Sequence, residues 1–225
     1  MPHTARTPDH ARTPDHARTG HHPGSAQAGF SIIEIAVTLV VFGMLMATAV
    51  PSMSAWMRNA KLRNQAESVQ NGLQQARNEA VRRNRPVSFY LVSNGTATAL
   101  DNGCTVSATG TSWVVSVRDP GGACAATPAN ASTDAGNPLI VSKRLGADGG
   151  SGVSVSGVAA DNATAASSVT FDALGRRSGN LTRVTVSYAT ARNDDRPLRV
   201  DITPAGMVRS CDPQITNTSD PRRCL

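Results

Sequence analysis

Beyond residue 22 the chain contains no histidine: all five, His3, His10, His16, His21 and His22, sit at the N-terminal end of 225 residues. If that segment is removed, a Ser-His-Asp triad, a Cys-His pair, a His-ligated zinc and a haem on a proximal His all lack their central residue. Aromatics are scarce too, with four Phe, two Trp and two Tyr. So few rings argue against a large aromatic core and against a surface of many stacking platforms. No acid pair, nucleophile–base pair or phosphate loop stands out. Gly149-Gly150-Ser151-Gly152 lacks the lysine and the following helix of a P-loop. The reading is a non-enzymatic protein with no catalytic residues, no metal and no cofactor.

Charge is present but unevenly placed. The formal net charge is +6, yet residues 58–86 alone carry seven basic side chains against two acidic ones. Residues 87–225 hold twelve basic and eleven acidic, nearly balanced but polarised: net −3 over 87–174 and net +4 over 175–225. A protein basic throughout would point to nucleic acid. Here that question narrows to the arginines after Gly175, whose contacts to phosphate would be sequence-independent and salt-sensitive. The cluster Arg82, Arg83 and Arg85 has a simpler role, because cations near a helix C-terminus complement the macrodipole.

The N-terminal segment repeats ARTPDH twice and begins it a third time. Pro, Asp, His and Gly at this density cannot form a packed core, so residues 1–29 read as a disordered leader. From Phe30 to Val50 a single charge, Glu34, interrupts the apolar character. That length spans a hydrocarbon layer of about 30 Å as a helix. The small residues Ala26, Ala28 and Gly29 precede the apolar run instead of following it, the reverse of a secretory signal. Processing at that point would leave the hydrophobic helix on the mature chain.

Over residues 55–84 the pattern turns amphipathic. Leu62, Ala66, Val69, Leu73, Ala76 and Ala80 recur every three or four residues and make one apolar stripe. Pro86 ends the helix. Short β-type runs follow at 87–92, 113–117, 139–143, 153–156, 168–172, 184–189 and 198–203, separated by Gly, Asn, Asp and Pro. The expected fold is α+β: a long N-terminal helix, membrane-spanning in its first half, packed on an antiparallel β-sheet or sandwich head. The organisation is leader 1–29, membrane and assembly helix 30–57, amphipathic stem 58–86 and β-rich head 87–225.

All four cysteines, Cys104, Cys124, Cys211 and Cys224, fall in the head. Four allow three pairings. The sequence-local one, Cys104–Cys124 with Cys211–Cys224, is expected, each bond closing a short loop. Disulfides imply an oxidising compartment and place the head outside the cytoplasm. The flanking charges alone, Arg6, Arg12 and Arg18 upstream against Arg58, Lys61 and Arg63 downstream, favour the opposite orientation. The disulfides decide the matter.

The junction Gly29-Phe30-Ser31-Ile32-Ile33-Glu34, followed directly by the apolar run, resembles the processing site of type IV prepilins and type II secretion pseudopilins. The resemblance implies cleavage after Gly29 by a prepilin peptidase and N-methylation of Phe30. Glu34 carries a role on physical grounds as well. A carboxylate in an apolar span is costly and needs a partner. The freed α-amine of Phe30 on a neighbouring subunit would supply one and set the register of assembly.

Later segments sharpen the likeness. Residues 76–87, Phe171-Asp172-Ala173-Leu174-Gly175-Arg176, Leu198-Arg199-Val200-Asp201-Ile202-Thr203 and Gly206-Met207-Val208-Arg209-Ser210-Cys211 resemble segments of FimT/GspH-type pilins. That branch implies a single-pass protein of the bacterial inner membrane, its head in the periplasm and its place in a pilus or pseudopilus. Its partners would be other major or minor pilins, the prepilin peptidase/methyltransferase and membrane lipid. The function implied is a minor type IV pilin in pilus assembly. The alternatives are a minor pseudopilin of a type II secretion system and a DNA-binding minor pilin for natural transformation. Some relatives bind DNA through a Gly-Arg-x-Arg tail. Here Gly206 and Arg209 match, but Met207 stands where the first arginine belongs, leaving Arg176 and Arg177 as further basic candidates.

Overall fold

The computed structural model describes residues 29–96, 98–146 and 152–224, with the side chains of residues 48–52 outside that set. The leader expected over 1–29 therefore lies outside the described residues except for Gly29, as does most of the Gly149–Gly152 stretch. Helix α1 runs Ile32–Arg83, 52 residues. The chain divides between Met46 and Ala47 into two units.

In the first unit the Ser31 carbonyl accepts the Ile35 N–H at 3.1 Å, which makes Ser31 the N-cap. Glu34 lies in the first turn, where a carboxylate complements the helix dipole. Phe30, Ile32, Ile33, Leu39, Phe42 and Met44 are all more than half exposed. Among the described residues no helix is long and apolar enough to cross a membrane. The apolar run of the sequence continues through residues 48–50, whose side chains lie outside the described set.

In the second unit the stripe of α1 is the floor of the core. Leu62, Ala66, Val69, Leu73, Ala76 and Ala80 are all fully buried. The helix closes with the two bonds of a Schellman motif: Arg85 N–H donates to the Ala80 carbonyl (3.2 Å) and Asn84 N–H to that of Val81 (3.2 Å). Asn84 takes the left-handed conformation, φ 48°, which its short polar side chain tolerates.

Ten strands follow. The first sheet contains β1 (Val87–Ser93), β2 (Thr105–Val106), β3 (Ser112–Ser116), β4 (Ile140–Arg144), β6 (Ser168–Phe171) and β7 (Arg177–Ser178). The second contains β5 (Val153–Val158), β8 (Arg183–Tyr188), β9 (Leu198–Ile202) and β10 (Val208–Cys211). The first has the order β4-β3-β1-β6-β7 with β2 on β1; the second has β10-β9-β8-β5. Every strand pair is antiparallel. The seven β-type runs of the sequence all fall on strands. β2, β7 and β10 have no run among them, since two residues carry no alternation and β10 has only Val208 of the β-branched and aromatic types.

The two sheets and the helix stripe share one core. It joins Phe89, Leu91, Trp113, Val169 and Phe171 of the first sheet to Val155, Val184, Val186 and Val200 of the second. Strand β1 is buried on both faces, because Val92 turns to a second cluster with Val114, Ile140, Cys104 and Cys124. That far face is closed by the Cys104–Cys124 bond. Gly72 is where the helix comes closest to the rings: a Cβ there would sit 2.8 Å from Phe89 and 3.0 Å from Trp113. Two polar residues also face the core from α1. Gln65 Nε2 donates to the Thr111 carbonyl (2.7 Å), and Ser68 Oγ accepts the Trp113 indole N–H (2.9 Å). Burial without those partners would cost about 1–3 kcal/mol each.

Candidate functional site

No concentration of catalytic groups forms among the described residues. What the chain presents instead is an exposed helix start, a set of clasps and a cavity bordered by arginines. Gly29, Phe30 and Glu34 stand together at the start of α1, all exposed. Phe30 is 78% accessible. Glu34, four residues on, is one helical turn from Phe30.

The first clasp ties the stem to the head. Arg58 holds Asp195 with two bonds, Nε to Oδ1 at 2.8 Å and Nη2 to Oδ2 at 2.6 Å. The same guanidinium lies 3.7 Å from the centre of the Tyr188 ring, whose hydroxyl donates to the Arg58 carbonyl at 3.2 Å. Bidentate pairing and stacking together are arginine's own geometry; lysine could not reproduce it. The Arg58 hydrogen bonds hold the Asp195 carboxyl below its ordinary pKa. Next door, Asn59 Nδ2 donates to the Asp194 carbonyl (2.9 Å) and Asn59 Oδ1 accepts the Arg196 N–H (2.7 Å). The segment between β8 and β9 is thus fastened to two consecutive stem residues. Nothing in the sequence pattern pointed to it, because the partners are 137 positions apart.

The second clasp contains two of the glycines singled out in the sequence. Gly175 (φ 74°) and Gly206 (φ 77°) both need the left-handed conformation. A Cβ on Gly206 would fall 1.9 Å from the Gly175 carbonyl oxygen. That oxygen accepts the Arg77 Nε–H at 3.1 Å. The turn after β6 and the turn after β9 therefore meet on Arg77 of α1, and Gly206 has a steric reason to be glycine.

The third clasp is the tail. Cys211 and Cys224 are bonded, with Cα atoms 5.1 Å apart, and so are Cys104 and Cys124, at 6.1 Å. Arg209 Nη2 donates to the carbonyls of Pro221 and Arg223, each at 2.6 Å. Asp201 lies within reach of both tail sulfurs, a grouping of ligand-type atoms within 4.8 Å. The two sulfurs are bonded to each other, so no thiolate is offered and one carboxylate remains, which does not make a metal site.

The basic candidates are dispersed by these bonds. Arg176 is an exposed residue that pairs with Asp172 at 3.3 Å. Arg177 Nη1 donates to the Gly179 carbonyl (3.2 Å), and its Nε is buried without a hydrogen-bond partner among the described residues. Arg177, Arg183 and Arg209 border a cavity of about 350 Å³ floored by Ile202, Pro204 and Met207. Arg183 and Arg199 share Asp201, at 3.7 and 2.8 Å.

Comparison with known proteins follows the same lines. No curated protein matches the chain. Among solved structures it is similar to the type IV minor pilin FimU of Pseudomonas aeruginosa: 21% identity over 68% of this chain and 92% of that one, TM-score 0.41. It is also similar to the minor pseudopilin EpsH from the type 2 secretion system of Vibrio cholerae: 13% identity over 70% and 99%, TM-score 0.38. At such scores the family match carries the assignment. The model of the family described as type II transport protein GspH matches residues 65–206, from the buried face of the stem to the glycine of the second clasp. The chain belongs to the GspH family.

Proposed function

We propose that this protein is a minor, non-enzymatic subunit of a pilin-type filament, a FimT-like minor type IV pilin acting in pilus assembly. In this reading the leader is cut after Gly29 and Phe30 is N-methylated. The apolar helix anchors the chain in the bacterial inner membrane, with the disulfide-bonded head in the periplasm. Glu34 then meets the terminal amine of a neighbouring subunit, two charges cancelling where each alone would be costly. The observation that carries the reading is α1 itself. One helix bears exposed apolar side chains from Ile32 to Met46 and a fully buried stripe from Leu62 to Ala80. A globular protein does not leave so much apolar surface open without something to cover it.

A second reading, a minor pseudopilin acting in protein export, draws on the description of the matched family as type II transport protein. DNA binding through Gly206, Arg209, Arg176 and Arg177 is a third reading, although the first three of these also have roles within the fold. Gly206 answers to packing, Arg209 to the tail carbonyls and Arg176 to Asp172.

Glu34→Leu tests the assembly role. The variant is expected to remain in the membrane fraction and to be absent from sheared filaments. Normal incorporation would remove Glu34 from the mechanism.

A further inference from the structure

Strand β10 leaves backbone groups that the fold does not use. Next to the β9–β10 pair, Thr203 N–H donates to the Met207 carbonyl (2.9 Å), and the register continues Arg209↔Asp201 and Cys211↔Arg199. An antiparallel ladder alternates pairs that exchange backbone bonds with pairs whose N–H and C=O groups point away. Val208 and Ser210 are therefore the outward-pointing residues. The other side agrees, since Ile202 N–H donates away from β10, to the Thr182 carbonyl (2.8 Å). Among the described residues no hydrogen bond reaches the outward N–H or C=O of Val208 or Ser210.

Other edge strands are bonded from outside at single points. On β5, Gly157 N–H donates to Ala108 (2.7 Å) and Gly157 C=O accepts from Ala166 (3.0 Å); on β4, Ile140 C=O accepts from Ala129 (3.0 Å). Protecting edges in this way prevents unwanted pairing. An edge left open beside a cleft is the form that takes an added strand.

The cleft lies between β10 and one flank of α1. Two cavities, about 660 and 250 Å³, line up along it. Their helix wall is Asn59, Arg63, Glu67, Gln70, Gln74 and Asn78, which recur every three or four residues. Their other wall includes Val208 and Ser210. The protein's own tail already uses the end of this edge. Asp212, the next outward residue, donates its N–H to the Arg222 carbonyl (2.8 Å) and bridges to Arg223 in parallel. Pairing from the tail stops there.

Charge chooses the occupant. The cleft walls carry Arg63, Arg77 and Arg196 against Glu67 and Asp212, while Arg222 is paired with Asp220 at 2.8 Å. A second copy meeting this edge through its own β10 would bring the same positive excess to the contact and be repelled. We propose that an extended acidic segment of another protein docks here as a strand added to β10. Its main chain would bond Val208 and Ser210, and Arg63 and Arg196 would select Asp or Glu at alternate positions.

The test uses the full-length protein in detergent micelles and hydrogen–deuterium exchange resolved to single amides. Three end-blocked peptides are compared: alternating Val and Asp, alternating Val and Lys, and the acidic peptide with a central proline. The acidic peptide is expected to slow exchange at Val208 and Ser210 by about fivefold or more, and the other two to leave it unchanged. Ser210→Pro removes an outward N–H without touching the ladder to β9 and should abolish the effect, while Ser210→Ala keeps it. If the proline variant does not fold, the Ser210→Ala protein and the three peptides decide. No slowing by the acidic peptide, equal slowing by the lysine peptide, or slowing confined to other residues overturns the proposal.

Discussion

Arg58 and Asp195 meet through two short bonds, and the pair sets a pH dependence. The carboxyl of Asp195 is held below its ordinary value, first by the Arg58 side-chain bonds and also by the Arg192 backbone N–H. An Asp in the unfolded chain titrates near about 3.9. The unfolded state therefore binds the proton first as pH falls. The stabilisation is present in full above about pH 4 and lost as pH drops through the lower, folded value. Asp195→Asn should lower the melting temperature at neutral pH and flatten its decline in acid, read by thermal unfolding across a pH series. Gly206 makes a second residue-scale case. Gly206→Ala places a methyl group against the Gly175 carbonyl and should cost about 1–3 kcal/mol in chemical unfolding, with no DNA present. The glycine looked in sequence like half of a binding motif. Only the second turn brought beside it shows why it cannot carry a side chain.

Among the elements, α1 was the most legible. Its stripe repeats at the helical period, and all six of those residues are fully buried. Leu73→Ala should destabilise the second unit by about 2–5 kcal/mol, while Leu73→Met should cost far less; denaturant midpoints of the two variants test this. Seven strands could be read because each is four residues or longer and carries at least two β-branched or aromatic residues between turn residues. β10 could be expected only from resemblance, and β2 and β7 not at all, since two residues have no period. The polar members of the helix face were equally hidden. Gln65 and Ser68 look like solvent-facing residues until Thr111 and Trp113, more than 40 positions away, supply their partners. The same distance hid the Arg58 clasp. Long-range polar pairs leave no periodic trace, whereas apolar burial does.

On the scale of the whole molecule, the +6 charge resolves into a basic stem and a polarised head. Much of that charge is answered internally: Glu79 is shared by Arg82 and Arg83 at 2.7 and 2.6 Å, and Asp195, Asp201 and Asp220 each hold at least one arginine. Such internal pairing suits the filament subunit proposed above, and it leaves Arg63 and Arg196 of the cleft for an acidic strand. The absence of histidine after residue 22 suits the same reading, since the subunit left by cleavage after Gly29 would have none. The most direct test is mass spectrometry of the full-length gene product extracted from bacterial membranes. The account predicts an N-terminus at Phe30 carrying one methyl group. An intact N-terminus, a cut elsewhere, or recovery of the protein solely from the soluble fraction would contradict it.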